Sequence, residues 1–167
     1  VLPELLIASH EINQFSCGSD PLDVFLKRYA LTNQRAGGSR TYVIARDKRV
    51  VGYYTLAPGS VDPLQVPDRV AKGQPRHPIP VILLARLAID ASEQGRGLGK
   101  HLLLDAFRRA IAGAEVVGGR AVLVHAKDQI AFDFYQHFGG EQSPTDPLHL
   151  FFLIKDLRAL FNVTSAV

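Results

Sequence analysis

Three glycines at alternate positions, Gly95, Gly97 and Gly99, join the apolar stretch Leu84-Ala-Arg-Leu-Ala-Ile89 to an amphipathic run that opens at Leu98. A strand that enters a glycine turn and then a helix leaves the first helical N–H groups unpaired, with no Cβ in front of them. Such a turn is suited to hold a phosphate. Spacing separates the phosphate-loop patterns that compete for it. The nucleoside-triphosphatase loop needs a Gly, four residues, then Gly-Lys-Ser/Thr; here Gln94 stands in the first place and His101 in the last, so the pattern fails twice. The dinucleotide fingerprint G-x-G-x-x-G is missed by this G-x-G-x-G run, and the first βα unit of such a domain does not normally lie this deep in a short chain. What remains is Gln-x-x-Gly-x-Gly, from Gln94 to Gly99.

Four other residues carry chemistry by type. Tyr135 has a phenol that can donate a proton, and equally reads as an aromatic anchor for its helix beside Phe134 and Phe138. Asp128, just before an apolar-periodic run, reads first as a helix N-cap. His125 is flanked by apolar residues on a strand and reads as a satisfied structural histidine rather than a base. Cys17, the only cysteine, reads as a small packed residue rather than a nucleophile; alone it excludes a disulfide framework and a cysteine-rich zinc site, and no metal site is expected.

The elements that must position these residues alternate as a mixed α/β domain requires. Glu4 to Ala8 can form a first strand. Asp20 as N-cap and Pro21 at the first helical position open a helix to about Arg35, which Gly37-Gly38 stop. Thr41–Arg46 and Val50–Leu56 read as a hairpin turning at Asp47-Lys48. The prolines between Pro58 and Pro80 exclude a regular helix or central strand and read as a long loop with a short helix near Asp68 to Lys72. Val81–Asp90 is a nearly continuous apolar strand, suited to a central place in the sheet. The helix expected over 98–112 turns Leu102, Leu103, Ala106, Phe107, Ala110 and Ile111 inward and Lys100, Asp105, Arg108 and Arg109 outward. Arg120–Ala126 and Leu148–Ile154 read as strands on either side of the Tyr135 helix.

The Gln94–Gly99 turn resembles the acetyl-coenzyme A pyrophosphate loop of the GNAT family of N-acetyltransferases. A second stretch, Val122 to Gly139, is similar to that family's last signature, in which a strand precedes Asn-x-x-Ala-x-x-x-Tyr and a glycine ends the helix; here Asp128 replaces the Asn. A narrower resemblance covers nearly the whole chain. Phe15-Ser-Cys-Gly18, Leu22-Asp-Val-Phe-Leu26, Asn33-Gln34, Gly52-Tyr-Tyr-Thr-Leu56, Pro78 to Asp90, Val124-His-Ala-Lys127 and Ser143-Pro-Thr-Asp-Pro147 look like the TacT and AtaT type of acetyltransferase toxins from bacterial toxin–antitoxin pairs. One departure is Gly139-Gly140, where the family usually continues Gly-Phe. That difference bears on local packing and on the acceptor pocket, not on the loop.

The resemblance implies a single GNAT domain over 1–167, α/β, with a mixed central sheet of six or seven strands flanked by helices. It implies acetyl-CoA as the acetyl donor, with the backbone of Leu87, Ala88 and Ile89 along the pantetheine arm and Gln94, Gly95, Arg96, Gly97, Leu98, Gly99 and Lys100 around the pyrophosphate. Tyr135 would be the general acid, and Asp128 a secondary ligand contact. The acceptor would be the α-amine of aminoacyl-tRNA, with a small DNA-binding antitoxin and a homodimer as further partners; the alternatives are a small-molecule or protein N-acetyltransferase and a non-catalytic domain that binds coenzyme A to sense it.

Composition agrees. At 167 residues and 47% hydrophobic, the chain can bury one substantial core. No apolar run reaches the length of a membrane span and no signal pattern opens the sequence, so a cytoplasmic protein is expected. The net charge of +3 is unevenly spread. Lys27, Arg28, Arg35 and Arg40 lie around the first helix, Arg46, Lys48 and Arg49 at the hairpin turn, and Arg69, Lys72, Arg76 and His77 in the proline-rich segment. Arg28, Arg35, Arg40 and Arg76 are the candidate contacts to an RNA backbone. No aromatic-interleaved RNA motif is present, so shape and charge would dominate.

Overall fold

The computed structural model describes residues 2–165. Seven strands hydrogen-bond in the order β1-β2-β3-β4-β5-β7-β6: β1 (Glu4–Leu5), β2 (Arg40–Arg46), β3 (Arg49–Val61), β4 (Ile79–Ile89), β5 (Ala121–His125), β6 (Glu141–Gln142) and β7 (His149–Leu153). The helices are α1 (Asp20–Val24), α2 (Ala30–Arg35), α3 (Asp68–Ala71), α4 (Leu98–Val117), α5 (Gln129–His137) and α6 (Ile154–Ser165). Among the described residues, no helix is long and apolar enough to cross a membrane. The chain groups into two compact units, one running to Ala57 and taking in Leu84–Ala106, the other Pro58–Leu83 with the chain from Phe107 onward. Strands β3 and β4 and helix α4 each contribute to both.

In the first unit the hairpin forms as its sequence demands. Asp47 and Lys48 both take left-handed φ angles, 48° and 72°, the geometry of a two-residue turn whose twist matches the strands, and Arg46 pairs with Arg49. The first helix begins after Ser19, one residue before the expected cap, and Ser19 makes no side-chain capping bond. It also departs from α geometry in its middle, because Phe25–Tyr29 form a π-helical turn. The Tyr53 hydroxyl donates to the Leu22 carbonyl at 2.7 Å, occupying an acceptor of the preceding turn, and the Phe25 ring stacks on Tyr53. Leu6, Phe15, Phe25, Leu26, Val43 and Tyr53 are core residues of this unit.

Two further expectations, one of secondary structure and one of burial, differ from the structure. The proline-rich segment is not a loop throughout: β3 runs on to Val61 and β4 starts at Ile79, so Pro58 and Pro80 lie within strands. The β2–β3 ladder ends at Arg40 and Leu56, which leaves one side of β3 open beyond that point, and an open edge tolerates the missing proline N–H. Asp105 is buried, not solvated, and its Oδ2 accepts the Tyr54 hydroxyl at 2.5 Å. It sits three residues after Leu102, on the flank of the apolar stripe, where a phenol from β3 can reach it.

In the second unit α4 continues to Val117, five residues past the expected end, until Gly118 stops it. The apolar run 148–154 divides into β7 and the start of α6, and the two-residue strand β6 has no signal in the sequence. Helix α5 ends at His137, Gly139 with φ of 100° turns the chain after it, and Gly140 then packs against β7. A Cβ at Gly140 would lie 2.9 Å from Leu150 Cδ2 and 3.0 Å from Phe152 Cζ, so the aromatic of related sequences has no room and the two β7 side chains fill its place. Gly140→Ala is expected to destabilise by about 1–3 kcal/mol, each kcal/mol lowering Tm by about 2–4 °C in a chain of this size. An unchanged melting temperature for Gly140→Ala, or for Gly140→Phe, would show that the space is not filled.

Candidate functional site

The glycine turn is held by side chains on every side. After β4, Asp90 caps a short 3-10 turn (Ala91–Glu93): its carboxylate accepts the Ser92 N–H and hydroxyl at 3.1 and 2.5 Å and the Ser16 N–H at 2.8 Å. Burial pushes this carboxyl up, but the bonds from Ser92 and Ser16 outweigh it and hold the group below the usual carboxylate range. The Asp90 and Ala91 amides donate to Val51 and Ser16 carbonyls. Gln94 Nε2 donates to the carbonyls of Cys17 and Ile89, at 3.0 and 2.9 Å. Buried Glu93 accepts from Arg46 at 2.7 Å, and that bond holds its carboxyl below the usual range; Arg96 Nη1 lies 3.7 Å from the other oxygen.

The turn itself opens outward. Gly95 and Gly97 both have φ of 79°, and a Cβ built on either meets no atom within 4 Å. Glycine is needed there for the left-handed backbone, and the space in front is free for a ligand. The first helical bond of α4 runs from the His101 N–H to Gly97 O, so the amides of Leu98, Gly99 and Lys100 precede it without intrahelical partners. Gly99 lies within α4 and Lys100 is exposed. Leu87 and Ile89 on β4 are half-buried, whereas Ala88 is buried in the first unit's core.

In the second unit, Asp128 caps α5, accepting the Ala131 N–H at 2.8 Å; that bond and the Lys127 ammonium hold its carboxyl below the usual range. Two helical turns later Tyr135 is buried, with Phe134 edge-on at 5.2 Å. Its hydroxyl has no hydrogen-bond partner among the described residues, and burial pushes its pKa well above the ordinary phenol value. Tyr135 is therefore a neutral, undistracted phenol.

His125 is not a satisfied core histidine. It stands exposed at the end of β5, directly opposite His149, and the two rings stack 3.8 Å apart and 7° from parallel. Cys17 is half-buried. Burial, aided by a hydrogen bond with Asp23, pushes its thiol up to about 11, so no thiolate is present near neutral pH. The cations divide as well. Arg46 is committed to Glu93, and Arg69 to Glu141 and Asp156. Arg28, Arg35, Arg40 and Arg76 are exposed and enter no ion pair among the described residues.

Sequence reasoning missed the anchors of the turn: Ser16, the Arg46–Glu93 pair and the side-chain bonds of Gln94. The only signal was the segment Phe15-Ser-Cys-Gly18, far away in sequence, whose carbonyls and amides tie down the loop. It also missed His149 and Asp146, which become neighbours of His125 only through the β5–β7 register.

The acetyltransferase (GNAT) domain family matches residues 37–139. The chain is similar to a tRNA-acetylating toxin of Mycobacterium tuberculosis, with 52% identity over 160 residues that cover 96% of each chain. Its fold is similar to that of AtaT complexed with acetyl-methionyl-tRNAfMet, with a TM-score of 0.88 and 30% identity over 95% of this chain and 98% of that one. It is also similar to a tyrosine-to-phenylalanine mutant of AtaT bound to acetyl-CoA and to the C-terminus of the antitoxin AtaR, with a TM-score of 0.81 and 28% identity over 95% and 96% of the two chains.

Proposed function

Because the chain belongs to the GNAT family of acetyltransferases, we propose that it moves the acetyl group of acetyl-CoA to the α-amine of aminoacyl-tRNA, and so blocks translation as the toxin of a toxin–antitoxin pair. The observation that carries the acceptor is the 52% identity, over nearly the whole length of both chains, to a tRNA-acetylating toxin. The donor reading is supported by the open turn, with its left-handed Gly95 and Gly97 and the free amides at the start of α4.

In this reading the amides around Gln94–Lys100 bind the pyrophosphate, each hydrogen bond to a charged oxygen contributing roughly 1.5–3 kcal/mol. The backbone of Leu87–Ile89 aligns the pantetheine arm and polarises the thioester carbonyl. The acceptor nitrogen attacks that carbon, the C–N bond forms as the C–S bond breaks, and Tyr135 gives its phenolic proton to the departing sulfur. The proton lost by the amine passes to solvent and restores the phenol. An α-amine, with a pKa of about 7.7–8.0, is neutral in roughly a tenth of molecules near pH 7, whereas a lysine at about 10.4 is almost wholly charged. Such an acceptor needs no strong base. The work would take place in the cytoplasm, where charged tRNA is found, and a small DNA-binding antitoxin would hold the enzyme in check.

Arg28, Arg35, Arg40 and Arg76 contact the tRNA backbone in this reading. Each phosphate contact releases counterions, so the apparent affinity for charged tRNA falls steeply with salt, and reversing one of these arginines to Glu flattens the log–log slope by about one. Acetylation of a pool of aminoacyl-tRNA at increasing salt, with acetyl-CoA binding measured in parallel, reads both effects. Free amino acids reacting as well as charged tRNA, or arginine variants with an unchanged salt slope and unchanged tRNA acetylation, would replace the toxin reading with a small-molecule acetyltransferase.

A further inference from the structure

A cleft of about 280 Å³ lies wholly within the second unit. Its apolar wall includes Val81 and Leu83 from β4 and Leu123 from β5; its polar wall includes His125 at the end of β5, His149 at the start of β7 and Asp146 from the turn before β7. The two imidazoles are a directly opposed pair of the β5–β7 ladder, so their rings share one face of the sheet and stack. Asp146 Oδ2 lies 3.5 Å from His149 Nδ1 and fixes that ring at its other edge. Burial lowers the pKa of His125, and His149 pushes it the same way against a smaller opposing pull from Asp146. A neutral imidazole has one acceptor nitrogen available to an amine N–H.

The size of the cleft narrows what it can hold. Pockets for drug-sized ligands begin at about 300 Å³, so this one suits a single amino-acid residue rather than a nucleotide. Its position is also suggestive. From His125 the chain passes through Ala126 and Lys127 to Asp128, the N-cap of α5, and α5, which carries Tyr135, packs against β7, which carries His149. Helix α5 and the stacked imidazoles thus share strand β7.

We infer that this cleft receives the aminoacyl group of the acceptor: Val81, Leu83 and Leu123 take an uncharged side chain, while His125, His149 and Asp146 form the wall that meets the amine. The inference rests on aminoacyl-tRNA being the acceptor and adds the residues that choose among amino acids. An apolar wall without a cation disfavours charged side chains, and the carboxylate of Asp146 acts most strongly against acidic ones. His125 is a positioning residue for the acceptor, not a participant in bond breaking.

The test is a competition among charged tRNAs. Wild-type protein and the Leu83→Phe, Leu83→Ala, His125→Gln and Asp146→Asn variants acetylate a fully charged tRNA pool, and the N-acetyl-amino acids released by hydrolysis are quantified. Leu83→Phe is expected to lower kcat/KM for the largest reactive apolar side chain by about tenfold relative to the smallest, and Leu83→Ala to shift the ratio the other way, the range of discrimination that a change of a few methylenes can supply. His125→Gln is expected to raise the acceptor KM with the acetyl-CoA Kd unchanged, and Asp146→Asn to raise the share of acidic amino acids acetylated. Melting temperature and acetyl-CoA binding establish that each variant is folded; should the Leu83 pair fail there, the surface substitution His125→Gln still decides. An active wild type whose amino-acid profile and acceptor KM are unmoved by these changes overturns the cleft alone. A wild type that acetylates no charged tRNA overturns the acceptor reading first, and the cleft inference with it.

Discussion

Gly97→Glu is expected to abolish acetyl-CoA binding, raising its Kd at least about 100-fold by calorimetry, in a protein that still folds. Two effects act together. Gly97 has φ of 79°, where a side chain costs on the order of 1–3 kcal/mol, so the backbone will rotate its amide away from the ligand. The new carboxylate also projects into the open space that the proposed donor site assigns to the pyrophosphate, and losing two charge-assisted bonds at roughly 1.5–3 kcal/mol each already exceeds the 100-fold mark. The fold survives because no atom of the chain stands within 4 Å of the added Cβ. Gly99→Glu separates the two effects. Gly99 lies inside α4, so there the loss comes from charge and bulk facing the phosphates and not from a strained turn. A folded Gly97→Glu protein with wild-type affinity would remove the loop from the donor site.

The geometry of that turn is legible in the sequence because it is local. Alternate glycines between an apolar strand and an amphipathic helix can be read within one window, and the structure places the left-handed residues at Gly95 and Gly97, two of the three glycines singled out. The Asp128 cap and the Asp47-Lys48 turn are equally local, and both are present. What could not be read was whatever depends on a partner far along the chain. Asp105 is polar by type and was placed outside, but Tyr54, fifty-one residues earlier, supplies the hydrogen bond that makes its burial tolerable. Pro58 would end a strand flanked on both sides, yet beyond Leu56 strand β2 no longer covers that edge. His125 looked like a core residue because its sequence neighbours are apolar, and only the register with His149 brings the two rings to a shared surface. Gly140, a departure from the related sequences, is explained by the volumes of Leu150 and Phe152 and not by any backbone requirement of its own.

The same separation of local and distant causes applies to the cations. Charge by itself marked Arg46 and Arg69 together with Arg28 and Arg76, but the first two are already held by Glu93 and by Glu141 with Asp156. An arginine in an ion pair must break it before it can neutralise a phosphate, a cost that Arg28, Arg35, Arg40 and Arg76 do not carry. Of the four proposed contacts, Arg28, Arg35 and Arg40 belong to the first unit and Arg76 to the second.

Tyr135→Phe is expected to lower kcat by at least tenfold, within the roughly 10²–10⁴-fold that a positioned general acid contributes, while the acetyl-CoA Kd and the melting temperature stay at wild-type values. The argument turns on the state of the hydroxyl. Were it tied into the fold, its removal would cost stability; it has no hydrogen-bond partner among the described residues, and phenylalanine fills the same volume beside Phe134. Burial holds the pKa well above the ordinary phenol value, so the group keeps its proton through the whole physiological range and can only give it, not take one. Rising pH between about 7 and 9 therefore increases wild-type turnover as the acceptor α-amine, with a pKa of about 7.7–8.0, loses its proton, with no falling limb from Tyr135 in that window. The phenylalanine variant should retain this rise at a lower level, because it lacks the proton for the leaving thiolate and not the neutral nucleophile. Steady-state and single-turnover acetylation across that pH range measure both features. Full activity in Tyr135→Phe would leave the tyrosine as a packing residue, and a loss of acetyl-CoA affinity equal to the loss of kcat would make it a binding contact in place of an acid.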